Sequence, residues 1–437
     1  MSQSQDVPEH EIQTYLRVSE ALSYLECGIP IEINTALTKA LDAMSCMPVV
    51  QFPAEIAQCA LFIEGTPAGT LDKPEVELLL QKSTLSSFGR GDKTVTDPAY
   101  RSGREIPATN IGFEDGGSQY SRKLDSCGRS VVKTMFPGRQ VTLKLYKLAI
   151  YEANGHFDWH MDSTHSDSHL ATLLVGLNTS WKGGDLILRR NGVETRADLR
   201  PQSTGSYLAP DLQAIAFYTD MEHRVEPITE GVRIVLQYDI EVVTDTEKKM
   251  AEEDFGDYDW PLDVVSTTYS DRTKYLGVVQ ATADKTAVEE VIDTIKRLHT
   301  SGVGEVGFAL QHLYRKASIR AEFLKGSDAY LYDRLVRCGA FNVTLCPIVL
   351  VESGDDDETS KRFAYLFGDY NYDDDDQDTN ELGNYEKPSR FHIPKLSAIE
   401  KISSQDYIEH TGNESMLAEY RYFGGGMFVR PRLSSWA

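Results

Sequence analysis

The chain has 437 residues, with 44 basic against 67 acidic side chains, a formal net charge of −23 at pH 7 and 41% hydrophobic residues. That length allows one large or two ordinary domains around a sizeable core. The charge argues against nucleic acid or an anionic membrane surface as a partner, and no apolar run is long enough to span a bilayer. Cys27, Cys46, Cys59, Cys127, Cys338 and Cys346 form no CxxC pair. They read as reduced thiols of a cytoplasmic or nuclear protein, not as a disulfide framework. The polar, acidic N-terminus (MSQSQDVPEHEIQ) is neither a signal nor a transit peptide.

In chain order, residues 9–47 read as helical. Ile12, Tyr15, Leu16, Val18, Leu22 and Leu25 recur at helical spacing, Gly28-Ile29-Pro30 makes a break, and a second helix covers 35–46. Short strands begin at Ala60–Ile63, Gly89–Asp92 is a turn, and Val131–Met135 ends a helix. Gln140–Tyr151 alternates apolar and polar residues as a half-buried strand does. From there to Ile240 short strands follow one another, and Asn191-Gly192 signals a hairpin. Many short strands preceded by helices predict a jelly-roll sandwich with helices outside it.

The expected organisation is a helical segment over 1–50, a core domain over 51–243, an acidic linker over 244–263 and a C-terminal α/β region over 264–437. The last reads as helices over 285–300, 304–315 and 327–338, with strands over 341–352 and 362–369. The acidic runs Glu352–Glu358 and Asp373–Asp378 read as loops, and the second lacks the Gly and distal Glu spacing of an EF-hand.

The densest chemical signal lies between Tyr151 and Arg233. Three HxD triplets crowd there, His156-Phe157-Asp158, His160-Met161-Asp162 and His165-Ser166-Asp167, with His223 and Arg233 downstream. Two histidines and one carboxylate form a facial triad that leaves open positions on Fe(II). His160 and Asp162 are two residues apart, so on a strand both side chains leave one face. His223 must then come from a distant strand that folds back. The competing reading is a polar surface loop without metal, and His165–Asp167 lies in a Ser/Asp/Thr-rich stretch that reads as a turn. In the strand from Gly231 to Tyr238, Arg233, Val235 and Gln237 share one face, which we expect to look into the barrel.

Tyr151, Gly155, Phe157, His160, Asp162 and Ser163, then Gly183-Gly184-Asp185-Leu186, Ala216-Phe217-Tyr218, His223, Val225 and Arg233, resemble the prolyl-4-hydroxylase-like 2-oxoglutarate/Fe(II) dioxygenases. Phe88–Asp92, Thr94, Asp97 and Arg101 resemble the stretch before the catalytic strands in fungal-type members. Leu324–Asp328 and Thr411–Glu414 resemble their C-terminal half. The resemblance implies an α+β chain, with a double-stranded β-helix (jelly-roll) core, flanking helices and a C-terminal α/β extension. It also implies His160, Asp162 and His223 as iron ligands and Arg233 as the partner of the 2-oxoglutarate C5 carboxylate. A buried carboxylate needs such a pair, and arginine's fork meets it with two charge-assisted hydrogen bonds. Tyr151 stands where that family often has a cosubstrate-pocket tyrosine.

The chain departs from the family in two places. Ser163 follows the ligand where many members have Thr, and no tyrosine stands in the strand Thr172–Leu177, where Thr172 or Tyr146 would substitute. The implied cofactors are Fe(II), 2-oxoglutarate and O2, with ascorbate beside them. The implied substrate is a protein prolyl residue or a small molecule, hydroxylated at a C–H bond with release of succinate and CO2. Two other classes stay open: a non-catalytic module sensing oxygen or 2-oxoglutarate on the same fold, and a cupin-like metalloenzyme without 2-oxoglutarate. Trp159 reads as strand packing, Trp181 as a rim residue, and Arg224 as either an entrance or a solvent-facing residue. The basic strip Lys182, Arg189, Arg190, Arg196 and Arg200 reads as a solvated strand face, and Gly424–Gly426 as no phosphate loop.

Overall fold

The structure, a computed structural model, describes residues 37, 39–41, 43–44, 49–90, 93–114, 118–190, 193–202, 211–244, 285–355, 358–365, 390–392, 400–402 and 418–432. Several sequence expectations lie outside them: the helix over 9–34, the Asn191-Gly192 turn, the linker beyond residue 244, the run Asp373–Asp378 and the stretch Thr411–Glu414. Cys27 and Cys46 also lie outside them. Two compact units are present, one within 47–282 and the other within 1–46 and 283–437.

The 47–282 unit is a double-stranded β-helix. Its larger sheet has the strand order Val49–Ala54, Leu212–Tyr218, His169–Gly176, Arg233–Val242, Val141–Tyr151, Arg104–Pro107 and Thr84–Leu85. The smaller sheet has the order Val193–Ala197, Leu186–Arg190, Glu222–Val225, His156–His160 and Arg101–Ser102. Every strand pair in both sheets is antiparallel. The buried cluster between them takes Ala149, Leu174, Ile215, Phe217 and Val235 from one sheet and Leu186, Leu188, Ala197 and Val225 from the other. Sheets facing one another across interdigitated apolar side chains are what period-2 patterning produces.

The outer face of the larger sheet is covered by the helix Ser118–Met135. Its buried Tyr120, Leu124, Cys127 and Val131 recur three and four apart, which puts them on one helix face. Tyr120 pairs its hydroxyl with that of Tyr238, and the Tyr218 hydroxyl donates to the Met135 carbonyl at 2.7 Å. These bonds satisfy phenols that are buried with the strands carrying them.

One irregularity matters for the site. In the strand Val141–Tyr151 the register with Arg233–Val242 runs Leu143↔Ile240, Leu145↔Tyr238, then Lys147↔Gln237, Ala149↔Val235 and Tyr151↔Arg233. Tyr146 is the extra residue of a β-bulge, so odd-numbered residues change face there. Before it they join Tyr238 on the helix side; after it they line the interior.

In the other unit, Leu37, Ala40, Leu41 and Met44 are buried at helical spacing, and the Gln311 amide donates to the Leu41 carbonyl at 2.5 Å. Its sheet has the order Glu358–Tyr365, Phe341–Asp355, Ala418–Pro431, Val306–Ala309 and Arg390–His392, with Lys285–Thr300 and Gly326–Arg337 as helices. A helix over 304–315 does not form. Val306–Ala309 is a fully buried strand pairing Ala418–Pro431. A short apolar run with flanking glycine fits a buried strand as well as a helix, and here sheet pairing decides. Gly424–Gly426 are strand residues, and a Cβ on Gly425 would lie 2.6 Å from Leu310 Cδ1. Among the described residues, no helix is long and apolar enough to cross a membrane.

Candidate metal centre

The strand Val141–Tyr151 turns at Glu152–Gly155 and returns as His156–His160. Gly155 is tightly enclosed there: a Cβ would stand 2.7 Å from the Glu152 carbonyl and 3.0 Å from Tyr151 Cβ. The returning strand pairs Glu222–Val225 with a register shift between Phe157 and His160, which puts His160 opposite His223. Asp162 lies past the strand's end and not on it as the two-residue spacing suggests. Its backbone N–H donates to the Thr219 carbonyl at 3.1 Å, and that bond turns the carboxylate back towards both histidines.

His160, Asp162 and His223 each offer a ligand atom, and these atoms lie within 4.8 Å of one another. The imidazole rings have centroids 4.1 Å apart. Nδ1 of His160 lies 2.7 Å from the Asp158 carbonyl and Nδ1 of His223 lies 2.9 Å from the Met221 carbonyl. A carbonyl only accepts, so each Nδ1 carries the proton and each Nε2 presents a lone pair. The carboxylate is held as well. The Thr172 hydroxyl donates to Asp162 Oδ2 at 2.5 Å, and Oδ1 is left 3.8 Å from His223 Nε2.

Electrostatics agree with this arrangement. Burial first, and His223 beside it, push the His160 imidazole down to about 3, so it is neutral at any ordinary pH. Burial alone would raise the Asp162 carboxyl, but His223, His160 and the Thr172 hydroxyl outweigh it and its value falls. A neutral His160 imidazole and an ionised Asp162 carboxylate are states in which a divalent metal can be bound.

The interior face of Arg233–Val242 carries Arg233 beside Tyr151 and Val235 beside Ala149. Arg233 is 1% exposed, and its guanidinium carbon stands 5.5 Å from the Tyr151 ring centroid. Its Nη2 is buried without a hydrogen-bond partner. Burial pushes the guanidinium below its ordinary value, yet arginine stays charged in proteins. A buried cation with an unmet N–H awaits an anion.

A second cluster of the same composition lies nearby: His165, His169 and Asp239. The third triplet histidine, His156, has both ring nitrogens near backbone carbonyls, those of Asn154 at 3.0 Å and Ala99 at 3.1 Å. Trp159 is flanked by the guanidinium carbons of Arg189 and Arg224, at 4.1 and 4.8 Å from its ring centroid. Trp181 is buried in the cluster between the sheets. Lys182, Arg189, Arg190, Arg196 and Arg200 are all paired with carboxylates, so the strip is neutralised. Glu105, Lys147 and Asp239 also face the site, and sequence reading did not single them out. For Lys147 the signal was the bulge, which no local pattern announces.

Residues 146–238 match the family model of the 2OG-Fe(II) oxygenase superfamily. Over those residues the chain is similar to that superfamily. No curated protein matches it in sequence. Among solved structures it is similar to a prolyl-4-hydroxylase from Pseudomonas putida, with 14% identity, a TM-score of 0.29 and coverage of 48% of this chain and 100% of that one. A Trichoplax adhaerens prolyl hydroxylase, in complex with a hypoxia inducible factor peptide fragment, shows 14% identity, a TM-score of 0.32 and coverage of 56% and 98%. The non-heme alpha ketoglutarate dependent epimerase SnoN from nogalamycin biosynthesis shows 14%, 0.28, and coverage of 55% and 97%. At these TM-scores none of the three adds to the family match and the site geometry. The donor set fits Fe(II), and the orphaned Arg233 Nη2 fits a carboxylate such as that of 2-oxoglutarate.

Proposed function

We propose that the chain is an Fe(II)- and 2-oxoglutarate-dependent dioxygenase that hydroxylates a C–H bond of a protein or small-molecule substrate. The observation that carries this reading is Arg233, a fully buried cation with an unpartnered Nη2, in the same barrel as the His160, Asp162 and His223 cluster. His160, Asp162 and His223 would hold the iron, and Arg233 with Tyr151 would hold the far carboxylate of the cosubstrate. When bound, Fe(II) and 2-oxoglutarate supply O2-dependent oxidation of a C–H bond, with release of succinate and CO2. Thr172 orients the Asp162 carboxylate. The two backbone carbonyls fix the ring tautomers, and the apolar cluster between the sheets excludes water from the carboxylate pair.

A prolyl residue in a protein is the first substrate to test, on the sequence resemblance, and a small molecule is the second. Ascorbate would keep the iron ferrous. Free Cys59, Cys127 and Cys346, all buried, support a cytoplasmic or nuclear setting. A non-catalytic sensor is not favoured, because the ligand set and the arginine are both intact; a cupin-like enzyme without 2-oxoglutarate would leave Arg233 unpaired.

The test is succinate formation from 2-oxoglutarate under air with Fe(II) and ascorbate, comparing wild type with Asp162→Ala. Succinate from wild type alone is expected. Tight iron and 2-oxoglutarate binding with no succinate under a broad substrate panel would favour the sensor, and absence of iron binding would sink both.

A further inference from the structure

We propose that Arg101 and Lys147 form a site for an anionic group, a carboxylate, on the substrate itself. This rests on the oxygenase reading above and deepens it. The bulge at Tyr146 turns Lys147 onto the interior face, in register with Gln237, where it is 9% exposed. Its Nζ lies 3.0 Å from Glu105 Oε2. Arg101 is 6% exposed. It donates Nη2 to the same Glu105 oxygen at 3.1 Å and Nη1 to the Ser87 carbonyl at 2.5 Å. Its Nε is buried with no partner.

The pair stands beside the metal ligands. The Arg101 guanidinium carbon is 4.6 Å from the Phe157 ring centroid, and that ring stacks on His160 with centroids 3.4 Å apart. The bland alternative is a structural ion triad. Two buried cations on one carboxylate oxygen, however, leave a net positive charge and an unmet N–H, and such a group is costly unless another anion arrives. Burial first, and Arg101 beside it, push the Lys147 ammonium below its ordinary value, against the opposing pull of Glu105 and Asp162. The other carboxylates facing this wall have nearer partners of their own, and Asp239 keeps only Oδ1, 3.5 Å from His169 Nε2, without a hydrogen bond. Asp239 bonds His165 at 2.6 Å, and Asp162 accepts from Thr172. 2-Oxoglutarate has its own partners in the iron ligands and Arg233. The Arg101–Lys147 pair is therefore left for the substrate, either the free acid of a small molecule or an acidic side chain in a peptide.

Calorimetry on the full chain loaded with Mn(II) and 2-oxoglutarate separates these. One arm titrates N-acetylproline against N-acetylprolinamide; the other titrates acetyl-Pro-Asp-amide against acetyl-Pro-Asn-amide. In one arm the acid should bind about tenfold or more tighter than its amide, since a hydrogen bond to a charged group is at stake, and that arm names the source. Lys147→Met and Arg101→Gln should each reduce the preference to about twofold or less while leaving 2-oxoglutarate affinity unchanged. Glu105→Gln should enlarge it. Acids binding no tighter than amides in both arms, or a preference that survives both substitutions, would overturn the proposal. If wild type takes up neither Mn(II) nor 2-oxoglutarate, the oxygenase reading fails instead. The same acid–amide pairs, titrated into the metal-free Arg233→Ala chain, then judge the anion site alone.

Discussion

His160, Asp162 and His223 form one cluster, and His165, His169 and Asp239 form another of identical composition. They differ in how their ring nitrogens are used. In the first, each Nδ1 proton goes to a backbone carbonyl, so both Nε2 lone pairs are free, and the gap of 3.8 Å from His223 to Asp162 is too wide for a hydrogen bond. In the second, His165 Nδ1 meets Asp239 Oδ2 at 2.6 Å, while His169 Nδ1 accepts the His165 backbone N–H at 3.1 Å. The His169 proton is therefore on Nε2, 3.1 Å from the Ala171 carbonyl. One cluster keeps its lone pairs free; the other spends its protons on its own carboxylate and backbone. Residue type does not separate a candidate metal site from an ion pair, but the partner of the far nitrogen does.

The largest expected effect tests that contrast directly. His160→Ala or Asp162→Ala should weaken Fe(II) binding about a hundredfold or more, since even outer partners of a ligand are worth about ten- to a hundredfold. His165→Ala and His169→Ala should leave it within about twofold. Equal losses from both clusters in an Fe(II) titration would erase the distinction.

Next comes Arg233→Ala. A buried charge-assisted pair is worth about 1.5–3 kcal/mol, so the Kd of 2-oxoglutarate should rise about ten- to a hundredfold with iron affinity nearly unchanged. Calorimetry with each ligand in turn reads the split. A fall in iron affinity alone would place the arginine's effect at the metal.

Thr172→Val keeps the shape and removes the hydroxyl that holds Asp162 Oδ2. Iron affinity should fall about tenfold with the fold intact by circular dichroism. A variant as tight as wild type would mean that the carboxylate is positioned by the Asp162 backbone bond to Thr219 alone.

The smallest effect is the titration of His165. Its hydrogen bond to Asp239 raises its imidazole above the ordinary value, against the opposing effect of burial. The folded state therefore favours the charged form. This stabilisation is fully present below about pH 6.5, the ordinary value, and is lost as pH rises through the raised one. An NMR titration should place the His165 midpoint above that of an exposed histidine, and Asp239→Asn should bring it down. An unshifted midpoint in wild type would remove the ion pair from the comparison.

Much of the centre was legible in the chain because its chemistry restricts residue types. A facial triad would need two histidines and a carboxylate, and a buried cosubstrate carboxylate an arginine, so His160, Asp162, His223 and Arg233 could be named together as candidates; the structure brings ligand atoms of the first three within 4.8 Å of one another and buries the fourth. Strands were legible where alternation starts them, as in the first half of Val141–Tyr151, or where turn residues bound a β-branched run, as in Arg233–Val242. The stretch 304–315 was not, because Val306–Ala309 is apolar at every position and carries no period. The fate of His165 was not either, because its partner Asp239 lies 74 positions along the chain.

By itself the sequence determined which atoms were available and in what order they occur: three HxD triplets, a distant histidine, a later arginine and a run of short strands. The tertiary structure decided which of them meet. Only the register of His156–His160 with Glu222–Val225 puts His160, and not His156, opposite His223. Only the bulge at Tyr146 turns Lys147 from the helix side to the interior. Side-chain direction in a strand alternates with a period of two, so a single extra residue reverses every face beyond it, and whether that residue is accommodated is settled by the neighbouring strand.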